Sequence, residues 1–265
     1  MFFNGDLFDS PILKNKINFK NGILNISTGE MEEHSPKSIT TIQINANYSK
    51  SAVCPIFEEF MNDSLSHKDI SIAQELLGYL LIPETIAEKT FILYGPGRTG
   101  KSTFLKLIEH ILGKKSITNV ASQDLSQKFK PSLLFGKLAN IYADLPNKAL
   151  QDIGVFKTLV SGDTIAAEEK FHTPFSFSNK ARLLFSCNEL PANYVDRTDG
   201  IVCWALEGLK RLAANNYQFT KSETTENLLF EYKKQSNNVI WYVTEYCELK
   251  GDSTEYSQNL YQHYT

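Results

Sequence analysis

The chain has 265 residues, a net charge of −3, 42% hydrophobic residues and 22% charged residues. That length suffices for one large domain or two modest ones around a real core. No apolar run approaches the roughly 20 residues a membrane helix needs, so no membrane partner is expected. Met1-Phe2-Phe3-Asn4-Gly5-Asp6 lacks a basic region and a long apolar stretch, which is not the pattern of a signal peptide. Cys54, Cys187, Cys203 and Cys247 are scattered and form no metal-type pair, which suits a reducing, cytoplasmic setting. The slightly negative charge argues against a protein coated in nucleic acid. It leaves room for one that touches nucleic acid through a small local surface.

From Ile17 to Ile44, short apolar stretches alternate with turn signals at Lys20-Asn21-Gly22 and Ser27-Thr28-Gly29-Glu30, which predicts a small β-meander. Helical spacing follows over Ile56–Met61 and Ile70–Ile82, with Pro83 as the stop. Thr90–Tyr94 reads as a short buried strand, then a glycine-rich turn, then a helix over Thr103–Leu112 closed by Gly113. Leu138–Ala143 reads as a strand and Lys148–Val160 as a helix. Thr164–Glu169 and Thr173–Ser178 read as hairpin arms, and Arg182–Ser186 as a third core strand. From Trp204 onward the pattern is mostly helical.

Gly95-Pro96-Gly97-Arg98-Thr99-Gly100-Lys101-Ser102 fits G-x-x-x-x-G-K-[ST] in full, between a strand and a helix that begins at Thr103. Glycines at this spacing let backbone N–H groups turn inward around a phosphate, and the helix N-terminus adds partial positive charge. Lys101 supplies a point charge for the β and γ phosphates, and the Ser102 hydroxyl is a hard ligand for Mg²⁺. The segment is therefore expected to bind ATP or a close relative with Mg²⁺. Asp144 ends an apolar strand, where a carboxylate can hold Mg²⁺ through water or orient an attacking water; the alternative is a turn with Pro146. Asn188 follows the next strand and can hold a water against the γ-phosphate, or simply begin a turn before Pro191.

Lys170-Phe171-His172 lies between the two hairpin arms. A cation, an aromatic ring and a histidine at a tip suit nucleic acid, since lysine meets phosphate and a ring stacks on a base. A plain polar loop, with Phe171 packed on its own domain, is the alternative.

The order of these elements resembles the superfamily 3 helicases. It comprises the P-loop, the strand to Asp144, Phe156-Lys157-Thr158-Leu159 before Ser161-Gly162-Asp163, the hairpin, and Phe185-Ser186-Cys187-Asn188-Glu189-Leu190-Pro191. Within that group it resembles the helicase halves of phage, plasmid and poxvirus primase–helicases. Asn21-Gly22-Ile23-Leu24-Asn25, Thr28-Gly29-Glu30 and His34-Ser35-Pro36 resemble the segment before the ATPase. The helix Trp204–Leu212 resembles the one after it.

The resemblance implies an α/β chain with an AAA+-type parallel-sheet ATPase core at 87–200. A β-plus-helical N-terminal domain at 1–86, with a role in oligomerisation, precedes it, and a helical segment at 201–265 follows. It implies a ring, usually a hexamer, that moves 3′ to 5′ on single-stranded DNA beside a primase or polymerase of the same replication system. By the same resemblance Gly100, Lys101 and Ser102 are the Walker A site, Asp144 the Walker B acid and Asn188 the polar sensor. Lys170 and Phe171 fall on the DNA-contacting hairpin.

One departure stands out. Family members continue after the equivalent of Asp199-Gly200 with a bulky residue, a pair of arginines and a strand. Here Ile201-Val202-Cys203-Trp204 follows at once. Such a trans arginine is worth several orders of magnitude in related phosphoryl transfer. Either it is lost or a segment is missing between Gly200 and Ile201, and the missing segment is the expectation. A bonded pair would place the two Cα atoms about 3.8 Å apart. Arg98 and Arg197 are the nearby substitutes. Two other readings share the P-loop: a nucleotide or small-molecule kinase, which the lack of arginine over 116–137 argues against, and a non-catalytic nucleotide-binding assembly module.

Overall fold

In the computed structural model, residues 15–36, 40–96, 99–143, 153–186 and 198–236 are described. The chain enters through an antiparallel meander of β1 (Lys16–Phe19), β2 (Gly22–Asn25) and β3 (Met31–Glu32). Phe19 pairs with Gly22, so Lys20 and Asn21 form a two-residue turn, as the sequence predicts. The Asn21 side chain then holds Tyr48 by donating to its carbonyl oxygen at 2.8 Å and accepting from its N–H at 2.9 Å. The expected strand character stops at β3, and residues 40–44 return without a strand of their own.

Helix α1 (Pro55–Ser64) starts on a proline, which presets φ and lacks the donor a first turn cannot use. Helix α2 (His67–Leu80) is capped by Ser66, whose hydroxyl accepts from Asp69 N–H at 3.3 Å. Both match the expected helices.

The central sheet is parallel and has four strands. Along the chain these are β4 (Phe91–Leu93), β5 (Ile117–Thr118), β6 (Ala139–Ala143) and β9 (Arg182–Ser186), in spatial order β4-β9-β6-β5. Helix α3 (Lys101–Leu112) links β4 to β5, and α4 (Ile153–Ser161) follows β6. A separate two-stranded ribbon, β7 (Thr164–Ala167) with β8 (Phe175–Ser178), precedes β9. The ribbon arms are shorter than expected because Glu168, Glu169 and Thr173 belong to the connection. Strand β5 was not foreseen, since two residues carry no periodicity.

Strand β9 is buried along its whole length, as a parallel strand covered on both faces must be. Leu184 joins a cluster with Ala139, Ile141, Ile108 of α3 and Leu77 of α2. Leu183 and Phe185 face the other way, into a cluster with Leu134, Leu159 and Phe177. Strand β4 does not fit the expected buried strand. It pairs with β9 alone among the described strands, and Ile92 is 48% exposed.

Two further contacts hold the layers. Arg182 is 2% exposed, and its guanidinium donates to the carbonyls of Leu80 (2.7 Å), Lys180 (2.9 Å) and Glu84 (3.3 Å), with the Tyr79 ring 5.2 Å away. Burial pulls its pKa down to about 10. The buried charge is tolerated because three carbonyls accept from it, one of them Leu80 O at the negative end of α2.

Helix α5 (Thr198–Ala214) crosses α2 through glycines. A Cβ on Gly78 would run into the Ala205 carbonyl and lie 2.7 Å from Leu209 N; one on Gly208 would lie 2.7 Å from Glu75 N. Glu75, 1% exposed, accepts from Arg211 Nε and from Thr220 N, both at 2.8 Å, and closes the crossing.

Helix α5 runs unbroken through Gly200 and Ile201, both buried. The helix starts six residues before the Trp204 that periodicity suggests, because Gly200 obscures its first turn. The chain forms one compact unit up to Thr220, and Lys221 onward is a second, containing α6 (Glu223–Ser236).

Gly78→Ala is expected to cost about 1–3 kcal/mol through overpacking. Thermal melting should show a drop of several degrees, while Glu59→Ala on exposed α1 stays within about 0.5 kcal/mol.

Candidate functional site

The P-loop leaves the sheet at Leu93 and enters α3 at Lys101. Gly100 takes φ +81°, in the left-handed region where only glycine is at ease. A Cβ there would also sit 2.7 Å from the Phe60 ring of α1, so the loop is pressed against the N-terminal helices. Lys101 is 9% exposed and turned into its own loop. Its ammonium donates to Gly95 O (2.8 Å), Pro96 O (2.7 Å) and Thr99 Oγ1 (3.2 Å). Thr99 braces the loop by donating to Pro96 O at 2.9 Å. Ser102 and Thr103 are half-buried on the first turn of α3. Gly97 and Arg98 lie outside the described residues.

The donor set fits a polyphosphate. The ammonium meets only neutral oxygens in these bonds, at a helix N-terminus whose free N–H groups favour an anion. Among the described residues no group of three or more His, Cys, Asp or Glu could hold a metal ion. The described residue that could meet a divalent cation beside phosphate oxygens is Ser102, through its hydroxyl.

Asp144 and Asn188 lie outside the described residues, but the strands that lead to them do not. Leu93 pairs with Ser186, and Ser186 pairs with Ala143. Three strands thus end side by side at one edge of the sheet. One opens into the P-loop, one stops a residue before Asp144 and one stops two residues before Asn188. Ligands of open parallel sheets bind at such an edge.

The ribbon carries the second predicted site. Phe175 and Phe177 of β8 pack on Phe135, with ring centroids 5.3 and 5.4 Å apart, which fixes its root. Its tip stands clear. Lys170, Phe171 and His172 are exposed, and Phe171 is 94% exposed with φ +67°. The alternative in which Phe171 packs on its own domain is thereby excluded. Lys170 Nζ lies 5.2 Å from the centre of that ring.

Sequence reasoning missed a matching pair. Lys128 Nζ lies 5.2 Å from the Phe129 ring centre, and Phe129, 38% exposed, has φ +70°. Lys128 also pairs with Glu168 at 3.1 Å, so this loop sits beside the ribbon. The repeated Lys-Phe dipeptide was the available signal.

The described arginines are both engaged: Arg182 is buried, and Arg211 donates to Glu75, to Gln74 Oε1 and to Ser71 O, the last two at 2.9 Å. Arg98 and Arg197 lie outside the described residues. Burial and the neighbouring Glu58 push the Cys54 thiol up to about 12, which removes it as a nucleophile.

Residues 93–201 match the family described as "Family of unknown function (DUF5906)", and residues 4–66 match "D5 N terminal like". The chain is 27% identical over 197 residues to the "Putative helicase L207/L206" of Acanthamoeba polyphaga mimivirus, covering 66% of this chain and 20% of that protein. It is 27% identical over 109 residues to the "Uncharacterized mitochondrial protein ymf21" of Marchantia polymorpha, covering 36% of this chain and 61% of that one. The chain therefore spans a fifth of the first relative and three fifths of the second. Among solved structures, the apo A form of the NrS-1 C-terminal region is similar at a TM-score of 0.48 and 14% identity, over 88% of this chain and 69% of that one. An apo structure of NrS-1 residues 305–718 is similar at 0.46 and 11%, over 92% and 82%. Among the described residues no helix is long and apolar enough to cross a membrane.

Phe171→Gly should leave stability unchanged or raise it by about 1 kcal/mol, seen as a melting temperature equal to or above wild type, because it removes left-handed strain at an exposed site. A clear drop on thermal melting would show that the ring supports the fold.

Proposed function

We propose that this chain binds ATP with Mg²⁺ at Gly95–Ser102 and hydrolyses it to move along single-stranded DNA. It would do so as a superfamily 3 helicase with an AAA+-type core, travelling 3′ to 5′ as a ring, usually a hexamer, in a mobile element's replication system. The observation that carries this reading is the shared edge of β4, β9 and β6. Leu93, Ser186 and Ala143 are in register there, so the segments bearing Lys101, Asn188 and Asp144 leave the sheet together. The mimivirus relative described as a helicase and the D5-type match over residues 4–66 support it.

In the reaction, Lys101 turns from its loop carbonyls to the β and γ phosphates, and the N–H groups at the start of α3 hold the phosphate oxygens. Bound Mg²⁺ supplies charge neutralisation, with Ser102 and Asp144 as the protein's share of its surroundings. Asp144 and Asn188 orient a water. Its oxygen bonds to the γ-phosphorus, and the bond from that phosphorus to the bridging oxygen breaks, leaving its electron pair on ADP. The water's proton passes to solvent with inorganic phosphate.

On the DNA side, Lys170 and His172 meet phosphates while Phe171 stacks on a base, worth about 1–3 kcal/mol. Lys128 and Phe129 add a second cation and ring beside them. A primase or polymerase of the same replication system is the proposed partner. A non-catalytic nucleotide-binding module is the second reading, favoured by one observation: both described arginines are engaged within their own chain.

Lys101→Ala should abolish ATP hydrolysis in a phosphate-release assay. Single-stranded DNA should stimulate the wild type; hydrolysis indifferent to DNA rules out the motor, and tight nucleotide binding without turnover favours the module. Lys170→Ala should weaken binding to a single-stranded oligonucleotide and reduce the slope of log affinity against log salt by about 0.7, the share of one phosphate contact.

A further inference from the structure

Ser186 is the last residue of β9 and is fully buried, yet its hydroxyl has no hydrogen-bond partner among the described residues. Buried hydroxyls are nearly always paired, because desolvating one without compensation is costly. Nothing in the strand requires a polar group there: the preceding three residues, Leu183, Leu184 and Phe185, are apolar and buried.

Its position is specific. Side chains alternate along a strand, so Ser186 shares a face with Leu184, which packs in the cluster containing Ile108 of α3. That is the face of the helix that carries Lys101 at its start. Ser186 is also in register with Leu93, two residues before Gly95, and with Ala143 on the other side. Neighbouring strands lie about 4.8 Å apart, so the hydroxyl stands one strand spacing from the root of the P-loop and one from the end of β6. Lys101, at the start of α3, donates to Gly95 O and Pro96 O of the same loop.

We infer that the Ser186 hydroxyl holds the attacking water of ATP hydrolysis, accepting from or donating to it beneath the γ-phosphate. The inference rests on the proposed nucleotide site. The water then reacts as described above, and Ser186 gains and loses no bond. A buried hydroxyl without a partner among the described residues carries a desolvation cost, a pattern expected of groups kept for function rather than for folding.

The test compares wild type, Lys101→Ala and Ser186→Ala by thermal melting, by binding of a fluorescent ADP analogue, and by steady-state ATP hydrolysis. Removing an unpaired hydroxyl should leave the Ser186→Ala melting temperature equal to or above wild type. ADP-analogue affinity should stay within about twofold, and kcat should fall at least about tenfold with KM for ATP little changed, since a positioned water contributes in the transition state. A lowered melting temperature would show that the hydroxyl has a protein partner and overturns the assignment. So would a wild-type kcat. If wild type matches Lys101→Ala in neither binding nor hydrolysing nucleotide, the nucleotide reading itself fails and this inference goes with it.

Discussion

Strand β9 is hydrogen-bonded on both sides, to β4 and to β6, and buried on both faces. The rest of the candidate site depends on that placement. Its register sets Leu93, Ser186 and Ala143 level with one another, so that three strands end side by side at one edge of the sheet. Had β9 lain outside β6, its end and the root of the P-loop would be two strand spacings apart instead of one, close to 10 Å. The strand's other end is fixed just as firmly. Arg182 donates to the Leu80 carbonyl at the end of α2, which locks the helical layer to the sheet at the edge away from the P-loop.

The helical layer reaches the P-loop from the other direction. Phe60 of α1 fills the space a side chain at Gly100 would need. The turn at Gly100 is therefore constrained twice, by its left-handed backbone and by the packing of the N-terminal helices. Helix α5 in turn meets α2 at backbone distance through Gly78 and Gly208, and Glu75 bridges it to Thr220. Segments far apart in sequence thus brace one phosphate-sized loop.

The ribbon shows the opposite design. Its root is held by Phe135, while its tip carries an aromatic ring into solvent in a strained conformation. A second Lys-Phe pair, in the same backbone state, is tethered next to it by Glu168. Exposed rings with cations beside them gain little for the fold and suit a stacking ligand.

The β-meander, α1, α2, the strand–loop–helix of the P-loop, the ribbon and β9 could all be read from the sequence, because periodicity and turn residues are local signals. The P-loop pattern of Gly95–Ser102 and the Lys170-Phe171 pair are likewise visible in sequence, because each lies in consecutive residues. Asp144 and Asn188 follow strands that were also legible, although both residues lie outside the described part. Other features could not be read there. The two residues of β5 show no period, and the start of α5 is hidden by Gly200, which helical packing against Val53 and Cys54 requires. The exposed edge of β4 depends on which strand pairs with it. The partnership of Lys128 with Glu168 and the unpaired Ser186 hydroxyl join residues, or leave one unjoined, across distances no local pattern encodes. By itself, then, the sequence determined most of the elements and the P-loop motif. Only the tertiary structure decided strand order, and with it which strand ends lie level, because order is set by competition among buried faces across the whole chain.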